Sequence, residues 1–397
     1  MSSRDHGERS RSLGPARLRL LAILLSLAAA ELIAFAAFQT VLRRSRVWWR
    51  DLDGPTNAAT REDLIRFRDS QWDPDIGWLR RPHATNSTTA RSGRRWSYRI
   101  DEIGSRWNPY AGSRGKISLY GDSFTFGDEA NDDETWGFFL SNLSKTKADN
   151  WGISGGAPDQ ALLRFARNLP DHRTEIAVLT IPSENIRRIL GSYRPFLTGS
   201  PGMVFAFKPI LSAQADGSLA WEPPALHRAD DLSDFRRALE RARQTDFWYT
   251  RNAGRPRRSF PYTWALARGL VAAALEDEDP YTWPTAVARL DRIIHDFSTL
   301  SEKHDVVPVV LFLPAPGQLE RFSAYGEWDY REYVGSLRAR IPEEFPRLRV
   351  VDLLEHDFDA RLFNIAPFQH HPSVYGHQVI AGVAYSALSD LLAPTRD

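Results

Sequence analysis

Ile117-Ser118-Leu119-Tyr120-Gly121-Asp122-Ser123-Phe124-Thr125-Phe126-Gly127 decides how the chain is read. A β-rich tetrad runs into a Gly-Asp-Ser turn, and an amphipathic helical stretch follows from about Thr135. A serine at a sharp strand-to-helix junction has its Oγ exposed at the carboxyl end of the strand, where open α/β sheets bind ligands. The N-terminal N–H groups and positive dipole end of the following helix would favour a developing oxyanion at the same spot. The stretch reads as a nucleophile platform. The plainer alternative is a solvent-exposed turn with no chemistry, since short Gly/Ser motifs recur by chance.

Outward from this turn, strand and helix alternate. Strands are expected at 117–120, 148–151 and 176–181, with helices at 136–144 and 161–168 between them. Ile176-Ala177-Val178-Leu179-Thr180-Ile181 is a continuous apolar run, as a central parallel strand buried on both faces requires. The alternation predicts a doubly wound sheet. It lapses over 193–280, where short strand-like pieces at 203–207 and 219–221 flank an Asp216-Gly217 turn and a charged helix covers 232–244. It resumes with a helix at 286–303, a buried strand at 306–313, a helix at 330–340, a last strand at 348–353 and a closing helix at 374–392.

The rest of the chain narrows the class. It has 397 residues, 42% hydrophobic and 25% charged, which are ordinary globular values that support a full core. A formal net charge of +1 argues against a nucleic-acid binder, which carries a basic excess. Zero cysteines excludes disulfides and cysteine-based metal sites or nucleophiles. Thirteen tryptophans are a generous supply, of which some could stack on sugar rings.

Residues 20–42 are almost wholly apolar, with Glu31 the one charged residue, and are long enough to span a bilayer. Arginines flank both ends (Arg17, Arg19; Arg43, Arg44, Arg46), so charge fixes orientation poorly. A first apolar segment behind a short basic tail usually stays N-in and exports the chain on its C-terminal side. Glu31 near mid-membrane is costly, and is tolerable in a helix that pairs with another or as a protonated carboxyl. A cleaved signal peptide is the alternative, since Ala28-Ala29-Ala30 and Ala34-Phe35-Ala36 fit small-residue cleavage patterns. The apolar length exceeds a usual signal core and favours an uncleaved anchor. The chain then divides into a disordered tail (1–16), a transmembrane anchor (17–42), a stalk and lead-in (43–110), a first core part (111–192), an insertion or cap (193–284) and a second core part (285–393).

Four loops should leave one sheet edge. They carry Ser123, Gly155, Pro182-Ser183-Glu184-Asn185, and His370 with His371. A serine needs a base to take its proton, and histidine is the usual one. The backbone N–H groups of Ser123 and Gly155 and the side-chain amide of Asn185 are candidate donors to a tetrahedral oxyanion. Asn185 fits a helix N-cap equally well. A metal held by His370, His371 and His377 lacks a carboxylate at ligand spacing.

Gly121-Asp122-Ser123 to Gly127, Asn150-Trp151-Gly152-Ile153-Ser154-Gly155, Asn185, and His371-Pro372-Ser373 before Gly376-His377 resemble the SGNH (GDSL-type) hydrolases in order and spacing. The apolar N-terminal helix, Asp75-Ile76-Gly77-Trp78 and Asp133-Glu134-Thr135-Trp136 are similar to membrane-anchored bacterial members. The resemblance covers roughly residues 73–192 and 308–392. It implies a three-layer α/β/α sandwich with a five-stranded parallel sheet, and ester hydrolysis or acyl transfer without metal or cofactor. It implies Ser123 as nucleophile, His371 as general base, and Ser123, Gly155 and Asn185 as the oxyanion hole. The chain departs from the family twice. The position three residues before the histidine, an Asp in the family, is Phe368; Gln369, His370, a backbone carbonyl or Asp352 could orient the imidazole instead. The third block lacks the usual Gly-x-Asn-Asp.

The reading is a membrane-tethered serine esterase with its catalytic domain outside the cytoplasmic membrane, cleaving a short acyl ester such as O-acetyl on a carbohydrate. A polysaccharide O-acyltransferase fed by a membrane-bound acyl-donor partner, or a catalytically weak carbohydrate-binding protein, are the rival readings.

Overall fold

The computed structural model describes residues 14–40, 59–90, 92–198, 203–253, 259–274, 279–368 and 371–392. In chain order, α1 is Pro15–Thr40 and α2 is Arg61–Ser70. Two small hairpins follow: β1 (Trp72–Asp73) with β2 (Gly77–Trp78), and β3 (Thr85–Thr89) with β4 (Arg95–Arg99). Then come β5 (Ile117–Tyr120), a single turn α3 (Ser123–Phe126), α4 (Trp136–Ser144), β6 (Ala148–Asn150), α5 (Pro158–Asn168), β7 (Ile176–Pro182) and the short α6 (Asn185–Arg188). After α7 (Arg194–Thr198) a hairpin of β8 (Ile210–Ala213) and β9 (Leu219–Glu222) leads to α8 (Phe235–Thr245), α9 (Phe247–Ala253) and α10 (Tyr262–Ala274). The chain closes with α11 (Pro284–Lys303), β10 (Val307–Leu313), α12 (Pro316–Tyr325), α13 (Arg331–Glu344), β11 (Arg349–Asp352), α14 (Ala360–Phe363) and α15 (Val374–Leu392).

Contacts divide the chain into two units: 1–51 with 251–278, and 52–250 with 279–397. In the second unit five parallel strands form one sheet in the order β11-β10-β7-β5-β6. The chain steps from β5 outward to β6, then back past β5 to β7. Right-handed crossovers therefore place α4 on one face and α5 on the other. α11 crosses in the same sense as α5 and packs on it, with Phe165 and Phe297 ring centroids 4.8 Å apart. Helix α15 packs on α4. The result is an α/β/α sandwich whose topological switch point lies between β5 and β7. All seven residues of β7 are buried, as its unbroken apolar sequence requires.

The local structure differs from the sequence reading at several points. Residues 203–207 form no strand: Ala206 N–H closes a turn on the Met203 carbonyl at 3.0 Å. The hairpin at Asp216-Gly217 instead pairs Ala213 with Leu219, so its first strand is β8. Strand β3 was invisible in the lead-in because Thr85–Thr89 is mostly exposed and has no apolar alternation, whereas its partner β4 alternates exposed and buried. The helix that begins at Ser123 is one turn; the amphipathic helix starts only at Trp136, and its first N–H donates to His377 Nδ1 at 3.3 Å. The expected disordered tail falls outside the described residues up to 13, and so do residues 41–42 of the expected anchor and 43–58 of the expected stalk.

The first unit pairs α1 with α10. Helix α1 is long and apolar enough to cross a membrane, and almost none of it is buried. The region read as one insertion thus supplies elements to both units.

Gly152 shows how tightly the sheet rim is built. A Cβ there would sit 2.6 Å from Phe126 Cα and 2.7 Å from the Thr125 carbonyl carbon, both backbone atoms of the Ser123 turn. Gly152→Ala is expected to cost about 1–3 kcal/mol, read as a lowered denaturant midpoint of the full chain.

Candidate active site

Ser123 leaves the end of β5 in a turn that Asp122 braces. The Asp122 carboxylate accepts the Phe124 N–H at 2.9 Å, and Gly127, at φ 84°, ends the turn in the left-handed region. The second loop is zipped to this one, with Trp151 N–H on the Leu119 carbonyl and Ile153 N–H on the Gly121 carbonyl at 2.8 and 2.9 Å. Gly155 has φ 70°, and a Cβ there would press on Met203 Cε at 2.9 Å, so glycine answers both constraints.

The third loop supplies Arg188, and this buried guanidinium binds the others together. Its Nη1 donates to Asp122 Oδ2 and to the Gly156 carbonyl, each at 2.8 Å, and its Nη2 to Glu184. Arg188 is the chief reason the Glu184 carboxyl is held below its usual range. Asn185 is the first residue of α6 and Glu184 its N-cap, so the Asn185 amide caps nothing. That amide is fully buried and makes no well-formed hydrogen bond among the described residues, although it lies near enough to Asp122 to favour its charged form. An orphaned amide at this depth calls for an explanation.

His371 arrives from the loop before α15. Its Nε2 lies 3.0 Å from Ser123 Oγ, across 248 residues of sequence. The ring meets Phe124 edge-on at 5.8 Å between centroids. Its Nδ1 lies 3.5 Å from Glu129 Oε1, an ion-pair separation that less than ~1 Å of movement turns into a hydrogen bond. Burial pushes the imidazolium down, but Glu129, Asp128 and Asp122 outweigh it, and His371 titrates above its usual value.

Glu129 was not singled out from the sequence. It sits two residues past Gly127, in an acidic pair with Asp128, and that pair is the one signal that could have drawn attention to it. Its backbone has φ 70°, a left-handed conformation that costs a non-glycine residue about 1–2 kcal/mol. Two arginines hold it there. Arg94 Nε donates to the Glu129 carbonyl at 2.7 Å, and the same guanidinium lies 4.4 Å over the Phe368 ring on the His371 loop. Arg106, buried, donates to the carbonyls of Phe126, Gly127 and Ala130 at 2.6, 2.6 and 2.7 Å. Asp128 accepts from Ser154 Oγ at 2.7 Å, and the same carboxylate oxygen lies 4.0 Å from His371 Nε2.

The other candidates for orienting His371 fare differently. Asp352 does not: its carboxylate accepts from Trp328 Nε1 at 3.0 Å, Tyr330 OH at 3.1 Å and Leu354 N–H at 3.0 Å. It is a buried structural group at the end of β11, pushed by burial to about 6. Gln369 and His370 lie outside the described residues. His377 is fully buried, and burial drives it to about 3, so it stays neutral and accepts from Trp136. Among the described residues no cluster of His, Asp and Glu could hold a metal ion.

No family model and no curated protein matches the chain. Among solved structures it is similar to a lipolytic protein of the G-D-S-L family from Desulfitobacterium hafniense, at 13% identity over 69% of this chain and 100% of that one, TM-score 0.34. It is also similar to the Clostridium thermocellum family 3 carbohydrate esterase, at 15% identity over 70% of this chain and 97% of that one, TM-score 0.32. A third is a salicylyl-acyltransferase from a tetracycline biosynthetic pathway, at 14% identity over 71% of this chain and 56% of that one, TM-score 0.32. The five-stranded parallel sheet between helix layers is the architecture that the SGNH resemblance implies.

Removing Arg188 would leave Asp122 buried without its counter-charge. Arg188→Ala is expected to destabilise the chain by about 3–5 kcal/mol near neutral pH. Burial already pushes Asp122 up, and without the arginine its folded pKa would lie further above the unfolded one. The folded state then binds the extra proton, so the deficit should shrink as pH falls toward the unfolded carboxyl range. Urea unfolding of variant and parent across pH checks this.

Proposed function

We propose that the chain is a serine esterase of the SGNH type, tethered to a membrane by α1, that hydrolyses short acyl esters carried by a carbohydrate. One observation carries the reading: Ser123 Oγ and His371 Nε2 lie 3.0 Å apart, with a carboxylate, Glu129, beyond the second ring nitrogen. A hydroxyl, an imidazole and a carboxylate in line are the parts of a nucleophile relay.

In this mechanism His371 Nε2 takes the Ser123 proton as Oγ bonds to the ester carbonyl carbon. The carbonyl π pair moves to oxygen, and the oxyanion meets the Ser123 and Gly155 N–H groups and the Asn185 amide. The state of that amide supports the assignment, because a buried donor that makes no well-formed hydrogen bond among the described residues is available to a charge that exists only in the transition state. Collapse expels the alcohol, which receives the proton from His371 and leaves an acyl-serine. Water, deprotonated by His371, attacks the acyl carbon and releases carboxylic acid and free Ser123. A sugar hydroxyl in place of water would make the same chemistry an acyl transfer.

Glu129 would hold Nδ1–H and stabilise the imidazolium during each proton transfer, the role the family gives to an aspartate beside the histidine. The carbohydrate part rests on the resemblance and on the tryptophan content, and placement outside the cytoplasmic membrane rests on α1.

Full-length protein in detergent should react with a serine-directed fluorophosphonate at Ser123, and Ser123→Ala should abolish both labelling and hydrolysis of p-nitrophenyl acetate, with a rate loss of about 10^4-fold or more. An unlabelled parent protein would refute the reading. Glu129→Gln is expected to lower kcat by about 10^2- to 10^4-fold. It should also move the acid limb of the kcat/KM profile to lower pH. The sign follows from the carboxylate: it raises His371, the base must be neutral, and without it the imidazole stays neutral to lower pH. A drop in rate with an unmoved limb would make Glu129 a structural residue only.

A further inference from the structure

The unit formed by α1 and α10 is patterned inside out for water. The faces that meet are mostly small or polar. On α1 the covered residues are Ala30, Glu31, Ala34 and the larger Phe38; on α10 Ala265 packs on Phe38, and Gly269, one turn further, is also buried. Small residues let backbones approach, as paired helices do in lipid, where no hydrophobic drive holds them together. The outward faces are mostly apolar, with Arg268 the one charged side chain on that of α10. On α10, Trp264, Leu270 and Val271 are 65%, 63% and 62% exposed, and on α1 Leu24 and Ile33 are 54% and 70% exposed. A water-soluble helical hairpin would be arranged the other way round.

Glu31 completes the pattern. Its carboxylate accepts the Tyr262 N–H at 2.5 Å, the Thr263 N–H at 3.2 Å and the Thr263 hydroxyl. The one acidic side chain of α1 thus satisfies the first N–H groups of α10, which in hydrocarbon would have no other partner. The Tyr262 ring lies 5.1 Å from Phe35 and 6.1 Å from Phe38, and Ala265 and Leu266 also meet Phe38. Helix α10 therefore starts at the level of Glu31 and runs toward the Thr40 end of α1.

We propose that α10 is a second lipid-embedded element, entering the bilayer beside α1 with Glu31 as its N-terminal cap. The partner of its outward face is the acyl-chain region of a bilayer. This rests on α1 crossing that bilayer, as in the proposed function. Thirteen residues give α10 a length of ~20 Å, short of the ~30 Å hydrocarbon core, so it enters without crossing. The carboxyl costly to α1 alone becomes the group that admits α10. The catalytic unit is then joined to the membrane through three chain connections, at 51–52, 250–251 and 278–279.

The chain has no cysteine, so single cysteines can be placed freely. Leu270→Cys, Leu24→Cys and Lys303→Cys, each carrying an environment-sensitive fluorophore, would be reconstituted as full-length protein in phosphatidylcholine vesicles containing doxyl-labelled lipid. The expected result is that positions 270 and 24 are quenched by the doxyl lipid at least threefold more than exposed position 303, which iodide quenches instead. Position 270 behaving like 303, with 24 lipid-quenched, would overturn the proposal. If 24 is not lipid-quenched either, the anchor and the proposal fall together. Cross-linking of Leu270→Cys into dimers without lipid quenching would assign the face to a second copy and also overturn it. Adding Glu31→Ala should at least halve the lipid quenching at 270 and leave that at 24; unchanged quenching at 270 would remove Glu31 from the role. Fluorophosphonate labelling of Ser123 on the same vesicles reads the catalytic proposal separately, since its loss moves neither quenching value.

Discussion

The site depends on a buried guanidinium. Arg188 is one of the few charges placed at the centre of the sheet rim, and it satisfies Asp122 from the first loop, the Gly156 carbonyl from the second and Glu184 from its own. A charge taken out of water is costly unless fully paired. The loops are therefore locked to the one arrangement that surrounds it. Asp122 in turn fixes the Ser123 turn through the Phe124 N–H. The geometry of Ser123 is thus set by the ion pair of its neighbour in the chain, and the sheet provides only the rim on which this happens.

A second arginine does the same for the acidic side of the site. Arg106 gathers three carbonyls of the 126–130 segment, and Arg94 adds the Glu129 carbonyl while its guanidinium covers Phe368. This is how a glutamate in a left-handed conformation is kept facing an imidazole that arrives from the far end of the chain. Strain of that kind persists only where the surroundings over-determine it, and it gathers at functional sites. The lead-in hairpin of β3 and β4, which flanks Arg94, so becomes part of the site's support.

The small unit follows the opposite solvent logic. Among its described residues most large apolar side chains point outward and the one acid, Glu31, points inward, onto the first N–H groups of α10. Glu31 would be a liability on a lone membrane helix, and a helix N-terminus is a liability in lipid; placed together, each satisfies the other.

Much of this was legible in the sequence because it is written locally. The unbroken apolar run of β7, the alternation around it and the Gly121-Asp122-Ser123 turn report on the neighbours of each residue a few positions away. They sufficed for a doubly wound sheet and for an apolar N-terminal helix; the expectation of His371 opposite Ser123 came with the family resemblance, and the fold brings the two within 3.0 Å. What the tertiary structure alone decided is pairing at long range. The carboxylate facing His371 is Glu129, from a different loop, while Asp352, equally suggestive by position, is consumed by Trp328 and Tyr330. Strand β3 is made by a partner rather than by its own side chains, and Glu31 meets residues 231 and 232 positions away. A linear pattern records which side chains share a face of one element. It holds no term for which two elements the packing of a whole core brings together, and that is where the charges of this protein found their partners.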